Sequence, residues 1–385
     1  MDHITPEEYQ LAYESVYEFA QKEIRPHNAE IERSDEFPTW LWKRLAEQEY
    51  LGVGIPEEYG GSGGDYYMAG LMLRGITRVN PAIAMSVGAH LNLCGHNILR
   101  NGTEQQKRMY LPQLARAEIV GGLALTEPNA GSDAMGIQMT ATRTDGGYLL
   151  NGTKVFITNG PIADILVVYA KTLPGAQSRG ITAFIFETQT PGYSVARKLS
   201  KVGMHGSPTG ELVFENAFVP DANILGKINE GYKVVMSGLD MERAIFASSG
   251  IGLLETTLEL SLKYAQEREQ FGQPIANFQL IQVKLADMHV DLQASRLLAQ
   301  QCFQLAQQGK RISKEAATAI LYVGRVCTRA THEAMQIFGG WGYTTEFDVE
   351  RLWRDARLFE IGAGTTEIRQ LIIARELLGQ RGHDA

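Results

Sequence analysis

The spacing of apolar residues changes period twice along this chain, and that double change constrains the fold more than any other feature. From Pro6 to about Gly121 apolar side chains recur at helical intervals, as at Tyr9, Tyr13, Val16, Phe19 and Ala20, with turn clusters such as EEYGGSGGD (57–65) between them. Between about Gly122 and Pro220 this gives way to short β-branched and aromatic runs: KVFIT (154–158), ILVVYAK (165–171), ITAFIFE (181–187) and ELVFENAFV (211–219). Their connections are too short for helical crossovers, which predicts an antiparallel sheet or barrel. After Asn229 helical spacing returns near 230–268, 277–308, 313–338 and 364–378, a pattern that reads as a four-helix bundle. The expected class is α+β: an N-terminal all-α domain over 1–121, a middle antiparallel β-barrel domain over 122–228 and a C-terminal four-helix-bundle domain over 229–385.

Composition removes several function classes. With 385 residues, 44% of them hydrophobic, the chain can bury a full core in two or three subdomains. A formal net charge of -8 lacks the basic footprint that a phosphate backbone requires, so nucleic acid is not an expected partner. Cys94, Cys302 and Cys327 are few, odd in number and widely spaced, which argues against a disulfide framework or a metal site and for a reducing compartment. The N-terminal segment is acidic and helix-patterned, without signal or transit character, and no apolar run is long enough to span a membrane. The expected location is cytoplasmic.

Five segments carry candidate chemistry, and each has a bland reading beside the functional one. LALTEPNAGSD (123–133) crowds Thr126, Asn129, Gly131 and Ser132 into one turn that can cradle an anion or a polar ring edge, or is simply a surface turn capped by Asp133. In SGLDMERAIF (237–246) a helix surrounds Glu242 with Gly238, Leu239, Ile245 and Phe246, an apolar setting that raises a carboxyl pKa and suits a general base, or Glu242 is a helix-surface carboxylate that happens to have apolar neighbours. Asp240 and Arg243, three residues apart, are explained as an ion pair on another face. EREQFGQPIANFQLIQVKLADM (267–288) offers Arg268 as a fork for pyrophosphate and Phe271 as a ring face, or is a helix corner with a solvated arginine. QIFGGWGYT (336–344) has paired glycines that permit a close backbone approach or a tight turn. EIGAGTTEIRQL (360–371) opens a helix whose free N–H groups can hold an anion.

In this order the five segments resemble the acyl-CoA dehydrogenase family over about residues 8–379, and the match is most specific in LALTEPNAGSD and QFGQPIANFQLIQVKLADM. The resemblance implies FAD as cofactor, an acyl-CoA substrate, electron-transferring flavoprotein as acceptor and a homotetramer built as a dimer of dimers. It implies that Leu123, Leu125, Thr126, Gly131 and Ser132, with Phe156, Ile157 and Thr158, line the flavin ring, Thr126 and Thr158 by hydrogen bonds, and that Ser132 also lies near substrate. Arg268, Phe271 and Gln279 would hold the adenine-dinucleotide end, approached from a neighbouring subunit by Gln336, Ile337, Phe338, Gly339 and Gly340. Thr365, Thr366 and Glu367 match a further flavin-contacting stretch. Ala363 and Gly364 match positions beside the thioester, Ser178 and Arg179 a CoA-contacting pair, and Asp240 and Arg243 are counted with the substrate-binding positions.

One departure from the commonest pattern is informative: Ala363 stands where most members carry the catalytic glutamate. The isovaleryl-CoA dehydrogenase branch instead places its base in a Leu-Asp-x-Glu-Arg sequence, here Leu239 to Arg243, which assigns Glu242. In that branch the pocket floor falls at Met85 and Ala89, with Met85 replacing a leucine and Lys233 replacing a substrate-contacting tyrosine. The resemblance thus implies a short 3-methyl-branched acyl-CoA such as isovaleryl-CoA, an intermediate of leucine catabolism, with a longer homologue such as citronellyl-CoA as the alternative. A flavin oxidase or monooxygenase on the same scaffold, or a non-enzymatic binding role, are the competing classes. His90 and Cys94 read as packing residues.

Overall fold

The computed structural model describes residues 4–173 and 175–379. Before the sheet come α1 (Pro6–Phe19), α2 (Asn28–Ser34), α3 (Thr39–Glu47), α4 (Tyr66–Thr77), α5 (Pro81–Gly88), α6 (His96–Asn101) and α7 (Glu104–Ala115). Their starts follow local chemistry. Thr5 and Glu8 form a reciprocal capping box with Pro6 at the first helical position, Thr103 and Gln106 form a second, and Asn80 caps α5 ahead of Pro81. Helix α5 runs through a π-helical stretch, Ala89–Gly95, into α6, so residues 81–101 form one rod under the sheet.

The sheet consists of β1 (Gly121–Ala124), β2 (Thr140–Thr144), β3 (Gly147–Thr158), β4 (Ile165–Lys171), β5 (Ile181–Glu187), β6 (Tyr193–Lys198), β7 (Thr209–Pro220) and β8 (Ile224–Leu225), in the order β6-β7-β3-β2-β4-β5-β8 with β1 on β4. Most pairs are antiparallel, as expected. Two are not: β1 runs parallel to β4 from Gly121↔Ile165 to Ala124↔Val168, and β2 meets β4 in parallel at Thr140↔Lys171. The β2–β3 hairpin lies between β1 and β4 and returns the chain in the same direction, so no helical crossover is needed. The hydrogen-bonded path is open, yet inward side chains of β1 to β5 and β7 share one core containing Leu150, Leu166, Val168, Phe184, Phe186, Leu212 and Phe214.

Strands β4 and β5 are apolar on both faces, and the structure shows why. Leu166, Val168, Phe184 and Phe186 point into the sheet's own core, while Ile165, Val167, Tyr169, Ala183 and Ile185 point into a second core shared with the helices.

Four long segments after the sheet are helical as expected: α8 (Gly231–Glu267), α9 (Gln279–Gln307), α10 (Ser313–Phe338) and, after the short α11 (Val349–Ala356), α12 (Thr366–Leu377). Helix α11 was not anticipated because VERLWRDA is dominated by charge; it buries Val349, Leu352 and Ala356. A two-stranded hairpin, β9 (Glu269–Gln270) with β10 (Gln273–Pro274), forms the corner between α8 and α9.

Candidate active site

The candidate site is built on contacts in series: β1 and the residue after β3 bond to the 81–101 rod, the rod bonds to α8, and α8 bonds to the turn before α12. The 123–133 turn is fixed from below. Lys154 is fully buried, and its Nζ donates to Leu125 O at 2.9 Å and to Glu127 Oε1 at 2.8 Å. The same Glu127 carboxylate accepts Gln138 N at 2.6 Å and Met139 N at 3.0 Å, while Val155 N donates to Thr126 O at 3.0 Å. Burial pushes the Lys154 amine down to about 8, against the opposing charge of Glu127. Thr126, Gly131 and Ser132 are thereby presented from a braced loop. Asp133 does cap this turn, accepting Gly136 N at 3.0 Å, so the bland reading of that residue is also true.

At the end of β3, Phe156 has φ +60 and is 67% exposed, a conformation and an exposure both unusual for phenylalanine. Ile157 behaves differently from the expectation that it lines a ligand: its side chain is buried in the sheet core, leaving only its backbone toward the site. The reason is alternation along the strand, which turns Phe156 and Thr158 outward around it. The next residue, Asn159, ties β3 to the rod by donating to Ser86 O at 2.9 Å and to Gly121 O at 3.1 Å. Met85 is partly buried and Ala89 buried on that rod. His90 accepts from Gly121 N at 3.1 Å and bonds Leu114 O at 3.0 Å, and burial lowers its pKa to about 4. It is a neutral packing residue. Lys233, exposed at the start of α8, pairs with Glu230 at 2.6 Å.

Glu242 lies on α8 with no hydrogen bond among the described residues. Burial raises its pKa to about 7, opposed by the charges of Arg243 and Arg100. Arg243 is matched elsewhere: it donates to Asp240 Oδ1 at 3.1 Å, and the other oxygen of Asp240 accepts from Ser313. The Arg243 Nε also reaches Ala363 O at 3.4 Å. Ala363 has φ +55 and Gly364 φ +96, so the turn before α12 is held in left-handed backbone. Arg369, fully buried, secures that turn by donating to Phe359 O at 2.6 Å and to Gly362 O. Phe246 stacks on Phe359 with centroids 4.6 Å apart, closing the turn against α8. Thr365 caps α12 through Ile368 N, with Thr366 partly buried and Glu367 exposed in its first turn.

The remaining sequence candidates lie apart. No hydrogen bond, ion pair or ring contact among the described residues joins Arg268, Phe271, Gln279 or residues 336–340 to the 123–133 turn or to Glu242. Arg268 and Gln279 are exposed, Phe271 is 94% exposed at φ +53, and Gly339 and Gly340 have open space where a Cβ would stand. Ile337 and Phe338 are buried, Phe338 stacked on Tyr264 at 4.0 Å, so only their backbone is available to a ligand. Gln336 is exposed beside them. Arg179 is exposed on a short helical turn, residues 177–180, between β4 and β5; the Ser178 side chain lies outside the described residues. Lys154, Arg369 and Arg100 were missed from sequence. Lys154 and Arg369 are charged residues whose role depends on full burial, Arg100 is half-buried with its Nε covered, and the only sequence signal was Lys154 opening an apolar strand run.

Sequence comparison gives this three-part architecture its class, a flavin-dependent oxidoreductase, and names the family. Profiles for the N-terminal, middle and C-terminal domains of acyl-CoA dehydrogenase match residues 6–118, 122–217 and 229–378. The chain belongs to the acyl-CoA dehydrogenase family. It is 47% identical to the mitochondrial isovaleryl-CoA dehydrogenase of Solanum tuberosum over 96% of this chain and 90% of that protein. It is 46% identical to the mitochondrial 2-methylacyl-CoA dehydrogenase of the same organism, over 94% of this chain and 89% of that protein. Among solved structures it is similar to butyryl-CoA dehydrogenase from Megasphaera elsdenii (37% identity, TM-score 0.94, covering 98% of this chain and 100% of that one). It is also similar to PigA with FAD and proline (31% identity, TM-score 0.94, 99% and 100% covered). No described helix is long and apolar enough to cross a membrane.

Proposed function

We propose that the protein removes the α-proton and β-hydride of a short 3-methyl-branched acyl-CoA, isovaleryl-CoA first, with Glu242 as base, FAD as cofactor and electron-transferring flavoprotein as acceptor. The observation that carries this is the state of Glu242: a carboxylate without a hydrogen-bond partner among the described residues, raised by burial to about 7, one turn before Phe246, which packs on Phe359 and Gly362 ahead of the Ala363–Gly364 turn. A base with that pKa is ionised in a useful fraction near neutral pH and still takes a weakly acidic proton. The residues fit a flavin. The outward Phe156, the bare Gly131 and the braced Thr126 offer a ring face, open space and polar contacts at one end; Arg268, Phe271, Gly339 and Gly340 offer a charged fork, an aromatic face and open backbone at the other. When bound, the flavin supplies the two-electron acceptor for the hydride. Glu242 takes the proton, and the two electrons of the broken Cα–H bond form the α,β double bond of the 2-enoyl thioester.

Assembly as a homotetramer is supported by the separation of the two cofactor ends within one chain and by an exposed apolar stripe on α9, Leu280, Val283, Val290 and Leu297. Placing lysines at Val290 and Leu297 should dissociate the assembly in sedimentation and weaken FAD retention. Location in the cytoplasm is supported by three buried free cysteines, which fit a reducing compartment.

The deciding experiment mixes the yellow protein anaerobically with isovaleryl-CoA, a 2-methyl-branched acyl-CoA, butyryl-CoA, octanoyl-CoA and citronellyl-CoA, for wild type and Glu242→Gln. Fastest flavin bleaching by isovaleryl-CoA, abolished in the variant, is the expected result. A faster 2-methyl substrate would move the assignment toward the second relative, a faster citronellyl-CoA would show that the flexible Met85 yields to a longer tail, and wild-type bleaching by Glu242→Gln would remove the base.

A further inference from the structure

Helix α6 packs against α8 where α8 carries Gly238, one turn before Glu242 and therefore on the same face. A Cβ at Gly238 would run into Nη2 of Arg100, so the missing side chain is what lets the guanidinium lie against α8. Arg100 makes one hydrogen bond, from Nη1 to Tyr66 OH at 3.3 Å; its Nε is buried without a partner, and no carboxylate pairs with it among the described residues. The surroundings are ordered. Asn97 donates to Tyr169 OH at 3.0 Å and Asn101 to Ser237 Oγ at 3.1 Å, fixing α6 on both sides of Arg100.

An unmatched arginine and an unmatched glutamate thus share one helix face. We propose that Arg100 is a positioning residue for the base: seated on Gly238, its guanidinium acts across the gap between α6 and α8 to steady the ionised form of the Glu242 carboxylate. The inference rests on the reading of Glu242 as base. Among the described residues, the charged and titratable groups that interact with Glu242 are Arg100 from α6, Arg243 from its own helix and Tyr169 from β4. Arg243 already has Asp240, and burial drives the Tyr169 hydroxyl well above the usual range so that it stays neutral. Arg243 and Arg100 together offset the desolvation of Glu242, and Arg100 is the one of the two without a carboxylate partner among the described residues. Burial alone would drive that carboxyl higher than the value of about 7 at which it sits.

The test uses Arg100→Gln and Arg100→Lys, with Arg100→Met, which keeps the apolar stem, in reserve should Arg100→Gln not fold. Two readouts are compared from pH 5 to 10. One is the infrared carboxyl band of the resting protein, identified by its loss in Glu242→Gln; the other is the single-turnover rate of flavin bleaching by isovaleryl-CoA. Removing the cation should move the titration midpoint up by about one pH unit and cut the rate at pH 7 about fivefold, with recovery at high pH and near-wild-type behaviour in Arg100→Lys. A folded Arg100→Gln or Arg100→Met with the wild-type midpoint and profile would overturn the proposal while leaving Glu242 as base. Wild-type bleaching by Glu242→Gln would overturn both, which separates the two failures.

Discussion

Helix α8 carries two carboxylates in opposite circumstances, Glu242 and Glu255. Glu255 is 4% exposed and surrounded by donors: Arg74 Nε at 3.1 Å, Arg296 Nη2 at 2.5 Å and Tyr13 OH at 2.7 Å. Burial pushes its pKa up, but the hydrogen bonds and charge of Arg74, with Tyr13 and Arg296, outweigh that and hold it below the ordinary carboxylate range. Glu242 lacks such donors and sits near 7. Residue type and helix are shared, and in both cases burial raises the carboxyl. What differs is whether the neighbouring helices supply partners, and that difference separates a structural ion from a group free to accept a proton.

The contrast can be broken at either end. The largest effect is expected at Glu242: replacement by glutamine should lower the anaerobic bleaching rate by about 100- to 10,000-fold while the FAD spectrum and thermal midpoint hold. At Glu255 the loss should fall on stability. Glu255→Ala strands Arg74, Arg78 and Arg296 around a vacated carboxylate and should cost about 3–5 kcal/mol in denaturant unfolding, with the bleaching rate per folded flavin unchanged.

Lys154 and Glu127 sharpen the comparison, because they form a matched pair like Glu255 but beneath the candidate flavin loop. Lys154→Met should weaken FAD binding by about tenfold in reconstitution of the apoprotein, near 1.4 kcal/mol, because the 123–133 turn loses its brace. Unchanged affinity would make the pair structural only.

The pH dependence of unfolding has opposite sign for the two glutamates. A carboxyl raised to about 7 in the folded state binds its proton more tightly there than in the unfolded chain, so its contribution to stability declines as pH rises from about 4.5 through 7. Glu242→Gln should flatten that decline. The lowered Glu255 contributes stability above its unfolded pKa that is lost as pH falls through its folded value, and Glu255→Gln should weaken the acid dependence.

Much of this was legible in order along the chain. Strands β4 and β5 fall on the runs ILVVYAK and ITAFIFE because β-branched and aromatic residues between turn signals state their own conformation. The long helices followed from period, and Glu242 could be singled out because its i−4, i−3, i+3 and i+4 neighbours are apolar. Helix α11 was hidden by its charges, and the parallel placement of β1 on β4 by the hairpin between them.

Local sequence therefore determined the long helices, the strands on the runs at 154–158, 165–171, 181–187 and 211–219, their order and the absence of a glutamate at Ala363, and it offered Glu242 as a candidate base, since each depends on neighbours within a turn or two. Only tertiary structure decided which charges are matched. Arg100 meets α8 through Gly238, Arg74 and Arg296 meet Glu255, Lys154 meets Glu127, and Arg369 reaches back to Phe359, each across a separation in sequence that no local pattern spans. A carboxylate's pKa depends on the dielectric and the charges within a few ångströms, and those are set by packing between elements.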